Sequence, residues 1–102
     1  MSLDFGLLGQ KVEEDVRLTL LKALSMTSDN RLNETVLHET LDKFGHRRSR
    51  DYLRTQLAKL EELGAIRLEK AGTVQVATLL PPGLDHIERR SFLAGVRRPS
   101  IY

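Results

Sequence analysis

One stretch constrains the rest of this chain more than any other: Ser49 to Gly64, SRDYLRTQLAKLEELG. Leu53, Leu57 and Leu60 recur at i, i+4 and i+7, the spacing of a buried helical stripe. The opposite side carries Arg54, Thr55, Ala58 and Lys59, with Arg50 and Asp51 in the first turn. Ser49 is a good N-cap, because its hydroxyl can accept from a free first-turn N–H. Gly64 is a good residue just past the end, because it turns left-handed without a steric penalty. A helix that is greasy on one side and basic and small-polar on the other needs a body to lean on and leaves its outer face for something else.

The segment just upstream supplies part of that body. Asn33 caps a helix predicted over Glu34 to Phe44, and Glu34 in its first turn suits the helix dipole. Leu32 and Leu37 occupy the hydrophobic-staple positions, and Val36, Leu37, Thr40, Leu41 and Phe44 are expected to face inward. Gly45-His46-Arg47-Arg48 is then a short basic turn between two helices. Helix, short turn and a second helix with a basic outer face is how a helix-turn-helix presents its recognition helix.

Before this pair, Gln10 to about Met26 reads as a first helix with Val12, Val16, Leu20, Ala23 and Leu24 on one face. Leu18 and Leu21 lie off that face, so the apolar surface is wider than one packing stripe needs. Such a helix is either central in the core or part of a homodimer interface. Residues 1 to 9 are apolar for a terminus (Leu3, Phe5, Leu7, Leu8), but Gly6 and Gly9 weaken a helix there. They either pack, on the body or on a second copy, or fray. Residues 3 to 24 are thus the expected dimer surface. Thr27 to Asn30 is a polar turn, and Arg31-Leu32 is a candidate short strand.

After the basic helix, Ala65 to Lys70 alternates, with Ile66 and Leu68 on one side, and Val74 to Leu80 does likewise with Val74 and Val76. The glycine-bearing loop Ala71-Gly72-Thr73 makes the two a hairpin. Pro81-Pro82-Gly83 ends it, and a short last helix is expected over about Gly83 to Phe92, with Leu84 and Ile87 inward. Residues 93 to 102 have no period and read as a flexible basic arm. The expected division is a folded domain over 1–92 and that arm over 93–102.

A length of 102 residues allows one domain with one modest core. There is no cysteine, which excludes disulfides and thiolate metal sites and is compatible with a reducing, cytoplasmic setting. No apolar run approaches the roughly 18 residues that span a bilayer, and the N-terminus has no basic region of the kind that opens a signal peptide. The net charge is only +2, yet Lys43 to Lys59 holds a local +5 and Arg89 to Arg98 a local +4, leaving the remainder at −7. Positive charge gathered on two segments of an otherwise acidic chain is the footprint of a polyanion binder.

The assembled order is helix, helix, basic helix, hairpin and short helix. It resembles the winged helix-turn-helix superfamily of bacterial and phage regulators, of the ArsR/MarR kind. Thr78-Leu79-Leu80-Pro81-Pro82-Gly83 is similar to the Leu-Thr-x-x-Gly that often follows the wing there, with Leu80 standing where threonine would cap the helix. Arg31-Leu32-Asn33-Glu34, Gly45-His46-Arg47, Ser49-Arg50-Asp51, Leu60-Glu61-Glu62 and Gly95-Val96-Arg97-Arg98-Pro99 more closely resemble a family of roughly 100-residue proteins of Mu-like phages and prophages. The resemblance implies an α+β winged helix: a three-helix core, a two-stranded β-hairpin wing and a short C-terminal helix.

Duplex DNA is the partner this reading expects, with a phage or prophage transcriptional regulator as the role. Arg47, Arg48 and Arg50 surround the N-terminus of the third helix, where free N–H groups already favour a phosphate. Arginine grips guanine O6 and N7 with two hydrogen bonds, and threonine can touch a thymine methyl. Arg50, Arg54 and Thr55 are therefore assigned to base edges, and Arg47, Arg48 and Lys59 to phosphates, with Ser49 in the same interface. Arg97 and Arg98 belong to an arm able to follow a backbone or enter a minor groove. Asp51 counts against the reading unless it orients Arg47 or Arg54, accepts from a cytosine amine or complements the helix dipole. A solvated face of i, i+4 ion pairs is the plain alternative for the arginine cluster. No cofactor or metal is expected: His38, Asp42 and His46 are explained as ordinary surface residues. No catalytic motif is present. The competing functional class is a winged helix that binds protein, in phage assembly or host takeover.

Overall fold

The structure, a computed structural model, describes residues 5–100. Its elements are α1 (Phe5–Ser25), β1 (Arg31–Asn33), α2 (Glu34–Lys43), α3 (Arg50–Glu62), β2 (Ile66–Ala71), β3 (Val74–Leu79) and α4 (Pro81–Ile87). The three strands form one antiparallel sheet in the order β1-β3-β2. The chain is therefore α+β, with four helices and a three-stranded sheet among the described residues.

Sequence chemistry explains most boundaries. Asn33 accepts from the Val36 amide and opens α2, and Ser49 accepts from the Tyr52 amide and opens α3. Both helices close the same way. The Gly64 amide donates to Glu61 O and the Ala65 amide to Leu60 O; at α2 the Gly45 and His46 amides do the same to Asp42 O and Leu41 O. That pair of bonds is the Schellman closure, and it requires the left-handed backbone that Gly45 (φ +87°) and Gly64 (φ +76°) supply. The basic segment 45–48 is thus a defined corner.

The first helix starts earlier than expected, at Phe5 rather than Gln10, running through Gly6 and Gly9. Each glycine costs only about 1 kcal/mol, which a helix nucleated downstream can absorb. Leu18 and Leu21 are both buried, because α1 touches α2, α3, α4 and β3. The width of its apolar surface is that of a central helix. Phe5, Leu7 and Leu8 remain exposed, while Leu3 lies outside the described residues.

Three other expectations are corrected. In α2 only Leu37 and Leu41 of the predicted stripe are fully buried; Val36 and Phe44 are exposed, since Phe44 is the C-cap and no longer follows the helical stripe. In β3 the core face is Ala77 and Leu79, not Val74 and Val76. The register sets this: Leu79 lies opposite Ile66 and Ala77 opposite Leu68, and opposed residues share a face. β3 is the central strand, covered along both edges, so its weak alternation misled by one residue. The last helix runs from Pro81 to Ile87 instead of 83–92, with prolines in the first turn and no side-chain cap from Leu80. Just past its C-cap Glu88 comes Arg89, a non-glycine residue at φ +63°. That backbone is steadied by an Arg89 guanidinium bond to Pro99 O.

The largest correction concerns the tail. Residues 93–100 lie docked across α1 and α4 as a strap. Val96 and Pro99 are buried, the Arg97 amide donates to Glu14 O (3.1 Å) and Arg17 Nη1 donates to Gly95 O (2.7 Å). Buried His86 reads the strap twice, accepting from the Leu93 amide at Nδ1 and donating from Nε2 to Arg97 O. A strap held by separate hydrogen bonds has no period, which is why its sequence reads as a free arm. Residues 101 and 102 lie outside the described residues.

Gly83 is where α4 approaches the sheet most closely. A Cβ there would sit 2.5 Å from Ala65 O and 2.8 Å from Leu79 Cδ1. Gly83→Ala is therefore expected to cost about 1–3 kcal/mol through overpacking, read as a lower urea midpoint at unchanged m-value.

Candidate nucleic-acid interface

The outer side of α3 and the corner before it form the candidate surface. Arg47 and Lys59 have no side-chain partner among the described residues. Arg48 stacks over the Tyr52 ring, 4.9 Å from its centroid, and its carbonyl accepts from His38 Nε2 (2.6 Å). The Ser49 hydroxyl is committed to capping. Thr55 is exposed, with its hydroxyl donating to Asp51 O (3.0 Å). Asp51 sits in the first turn of α3, where it complements the helix dipole; it makes no hydrogen bond to Arg47 or Arg54 among the described residues, but its charge favours the protonated Arg54 guanidinium.

Arg50 and Arg54, assigned by sequence to base edges, are not loose. Both are drawn to Glu34, whose side chain has no solvent exposure. Arg54 grips it with two bonds, Nε to Oε2 at 2.7 Å and Nη2 to Oε1 at 3.1 Å. Arg50 Nη1 lies 3.6 Å from Oε2. The Gln75 amide of β3 adds a third hydrogen bond at 2.7 Å. The carboxylate thus ties α2, α3 and β3 together where they meet. Arg54 remains 44% exposed, so its outer edge still reaches solvent. The Arg54 hydrogen bonds hold the Glu34 carboxyl below its ordinary range; burial pushes the other way and is outweighed with help from the Gln75 amide and Arg50.

The two basic segments, remote in sequence, meet at Asp15. Its Oδ2 is 2.9 Å from His46 Nε2 in the corner, and its Oδ1 is 2.9 Å from Arg97 Nη1 on the strap. Burial raises the Asp15 carboxyl, but hydrogen bonds from His46 and Arg97 bring it net below its ordinary value. Arg98 stacks on Phe92 at 4.4 Å. Arg17 adds a second tie between strap and α3, donating to the buried Gln56 side chain (2.8 Å) as well as to Gly95. Sequence reasoning missed Glu34, Arg17 and Gln56 as organisers of this surface. Glu34 lies twenty residues from Arg54 and Arg17 thirty-nine from Gln56, and no local spacing announces either pair. His38 and His46 are bonded to Arg48 O and Asp15.

Comparison with known proteins places the chain. Protein gp26 of Escherichia phage Mu, an uncharacterized protein, is 41% identical over 86 residues, spanning 84% of this chain and 88% of gp26. This chain belongs to the phage Mu gp26 family. An uncharacterized protein of Haemophilus influenzae is 39% identical over 59 residues, covering 58% of this chain and 57% of that protein. No protein-family profile and no solved structure matches. The membership agrees with the Mu-like resemblance carried by Gly45-His46-Arg47 and Ser49-Arg50-Asp51. Among the described residues of this gp26 relative, no helix is long and apolar enough to cross a membrane.

The lowered carboxyls have a pH consequence. A group whose folded pKa is depressed stabilises the fold above its unfolded pKa and loses that contribution as pH falls through the folded value. The urea midpoint is expected to stay level near neutrality and to fall once pH drops below about 4.5, the ordinary value for Glu34. Glu34→Gln, which cannot titrate, is expected to fall less steeply over the same acid range.

Proposed function

We propose that this gp26 relative is a winged-helix protein that binds duplex DNA through α3, in a phage or prophage regulatory role. The element order, with β2 and β3 forming a hairpin directly after α3, supports the winged-helix reading. The observation that carries the DNA reading is the set of cations on α3 and in the corner before it. Arg47 and Lys59 have no partner among the described residues, and Arg48 lies on an aromatic ring. Unpaired cations on an exposed helix are what counterion release from a phosphate backbone requires. Arg97 is tied to the corner through Asp15 and His46, so the strap brings charge beside it from a fixed position. Arg50, Arg54 and Thr55 face the base edges, and Arg47, Arg48 and Lys59 the phosphates. The hairpin tip offers Lys70 beside Glu69 and contributes little.

In a fluorescence-anisotropy titration against a random duplex pool, the log–log salt slope is expected at about −0.9 per phosphate contacted. Arg47→Ala/Lys59→Ala should flatten it by nearly two such steps without moving the thermal midpoint. Absence of binding at low salt by folded wild-type protein would sink the DNA reading.

A second reading, a protein-binding module or homodimer, is favoured by one observation. Phe5 and Leu8, on the first turns of α1, are 72% and 54% exposed. With Leu18 and Leu21 buried, the dimer surface proposed over residues 3–24 contracts to this end of the helix. A homodimer built there should sediment at twice the monomer mass at micromolar concentration and return to monomer in Phe5→Glu/Leu8→Glu. A monomeric wild type removes it.

A further inference from the structure

Glu34 is an unusual residue to find behind a basic surface. It is buried, it accepts from α3 and from the β3 backbone, and it consumes charge that a polyanion binder could use. With Glu34 counted, the local +5 of residues 43–59 becomes +4. A carboxylate of no exposure survives only if its oxygens are satisfied, and here Arg54 and the Gln75 amide do that with three hydrogen bonds. The same bonds act in reverse on Arg54. Its Nε–Nη2 side is occupied, which fixes the plane and position of the guanidinium and leaves Nη1 and the second Nη2 hydrogen as its free donors. Arginine reads guanine through two parallel N–H groups held in one plane, and a guanidinium already locked loses less freedom when it docks.

We infer that Glu34 is a specificity-determining positioning residue: it holds Arg54 in a base-reading orientation while cancelling one positive charge that would otherwise add to sequence-independent phosphate affinity. The inference rests on the DNA reading above and deepens it. Loose arginines next to phosphates bind any duplex. An arginine pinned by a buried carboxylate is barred from wandering to the backbone and can discriminate.

The test uses the full chain, a random duplex pool and a duplex enriched from that pool by the wild-type protein. Glu34→Gln retains size and an acceptor but removes the charge. It is expected to bind the random pool more tightly at low salt, with the log–log salt slope steeper by up to about 0.9. Its preference for the enriched duplex should fall at least about five-fold, the lower end of what one bidentate base contact contributes. Arg54→Lys, which keeps the charge and loses the fork, should lose a similar preference at unchanged slope. If Glu34→Gln does not melt cooperatively, Glu34→Asp, which keeps the charge but draws the carboxylate back from Arg54, takes its place and should lose the preference at unchanged slope. Preference within two-fold of wild type in a folded variant overturns the inference. So does a wild type that binds duplexes with no preference, although DNA binding itself then stands. A folded wild type that binds no duplex removes the reading beneath it.

Discussion

An ionised carboxylate withdrawn from water costs several kcal/mol unless its environment replaces the lost hydration. The architecture around Glu34 follows from meeting that cost. The residue opens α2 immediately after β1, so its side chain starts at the edge of the sheet. Replacement donors must come from whatever lies alongside, and they come from two elements: the β3 amide at Gln75 and the guanidinium of Arg54. Moving α3 relative to the sheet would break these bonds and leave a buried charge uncompensated. Burial of Leu53, Leu57 and Leu60 makes α3 a core helix and is tolerant of small shifts. The Glu34 contacts are directional and fix where it lies.

A second set of polar ties does the corresponding work on the other side of α3. Arg17 reaches from α1 to Gln56 and to the strap, and Asp15, two residues earlier, reaches the corner and the strap again. The strap has three apolar anchors, Leu93, Val96 and Pro99, and hydrogen bonds to its carbonyls and amides fix the backbone between them. Because Asp15 bonds His46 and Arg97 together, the corner that opens α3 and the end of the described chain cannot move independently. Residues of the two basic segments, far apart in the sequence, are by this means brought together at one acid.

The parts legible in the sequence were those governed by short spacings. Ser49 and Asn33 as caps, Gly45 and Gly64 as stops, and the Leu53-Leu57-Leu60 stripe depend on neighbours within about one turn. The parts that were not legible depend on distance. Alternation alone points to Val74 and Val76 as the inner face of β3, but which face is inner is decided by Ile66 and Leu68 across the hairpin. The strap reads as a free arm because isolated hydrogen bonds to a backbone leave no trace in residue order. Gly83 carries a glycine for a reason visible only once Ala65 O is seen beside it.

The assignment of Arg54 shows how the two kinds of information combine. From spacing alone, Arg54 lies on the outer face of α3, and so it does, at 44% exposure. Spacing gives no reason why Arg54 should be held more firmly than Arg47 or Lys59, whereas the fold pairs it with Glu34. Among the described residues no side-chain bond selects a rotamer for Arg47 or Lys59, which would suit contacts to a uniform backbone on the proposed reading. Arg54 has one rotamer selected for it by a group that cannot itself relocate. On the proposed DNA reading, a surface carrying both kinds of cation would divide affinity from discrimination, and the fixed one is set by a single acid twenty residues away in the chain and fully hidden from solvent.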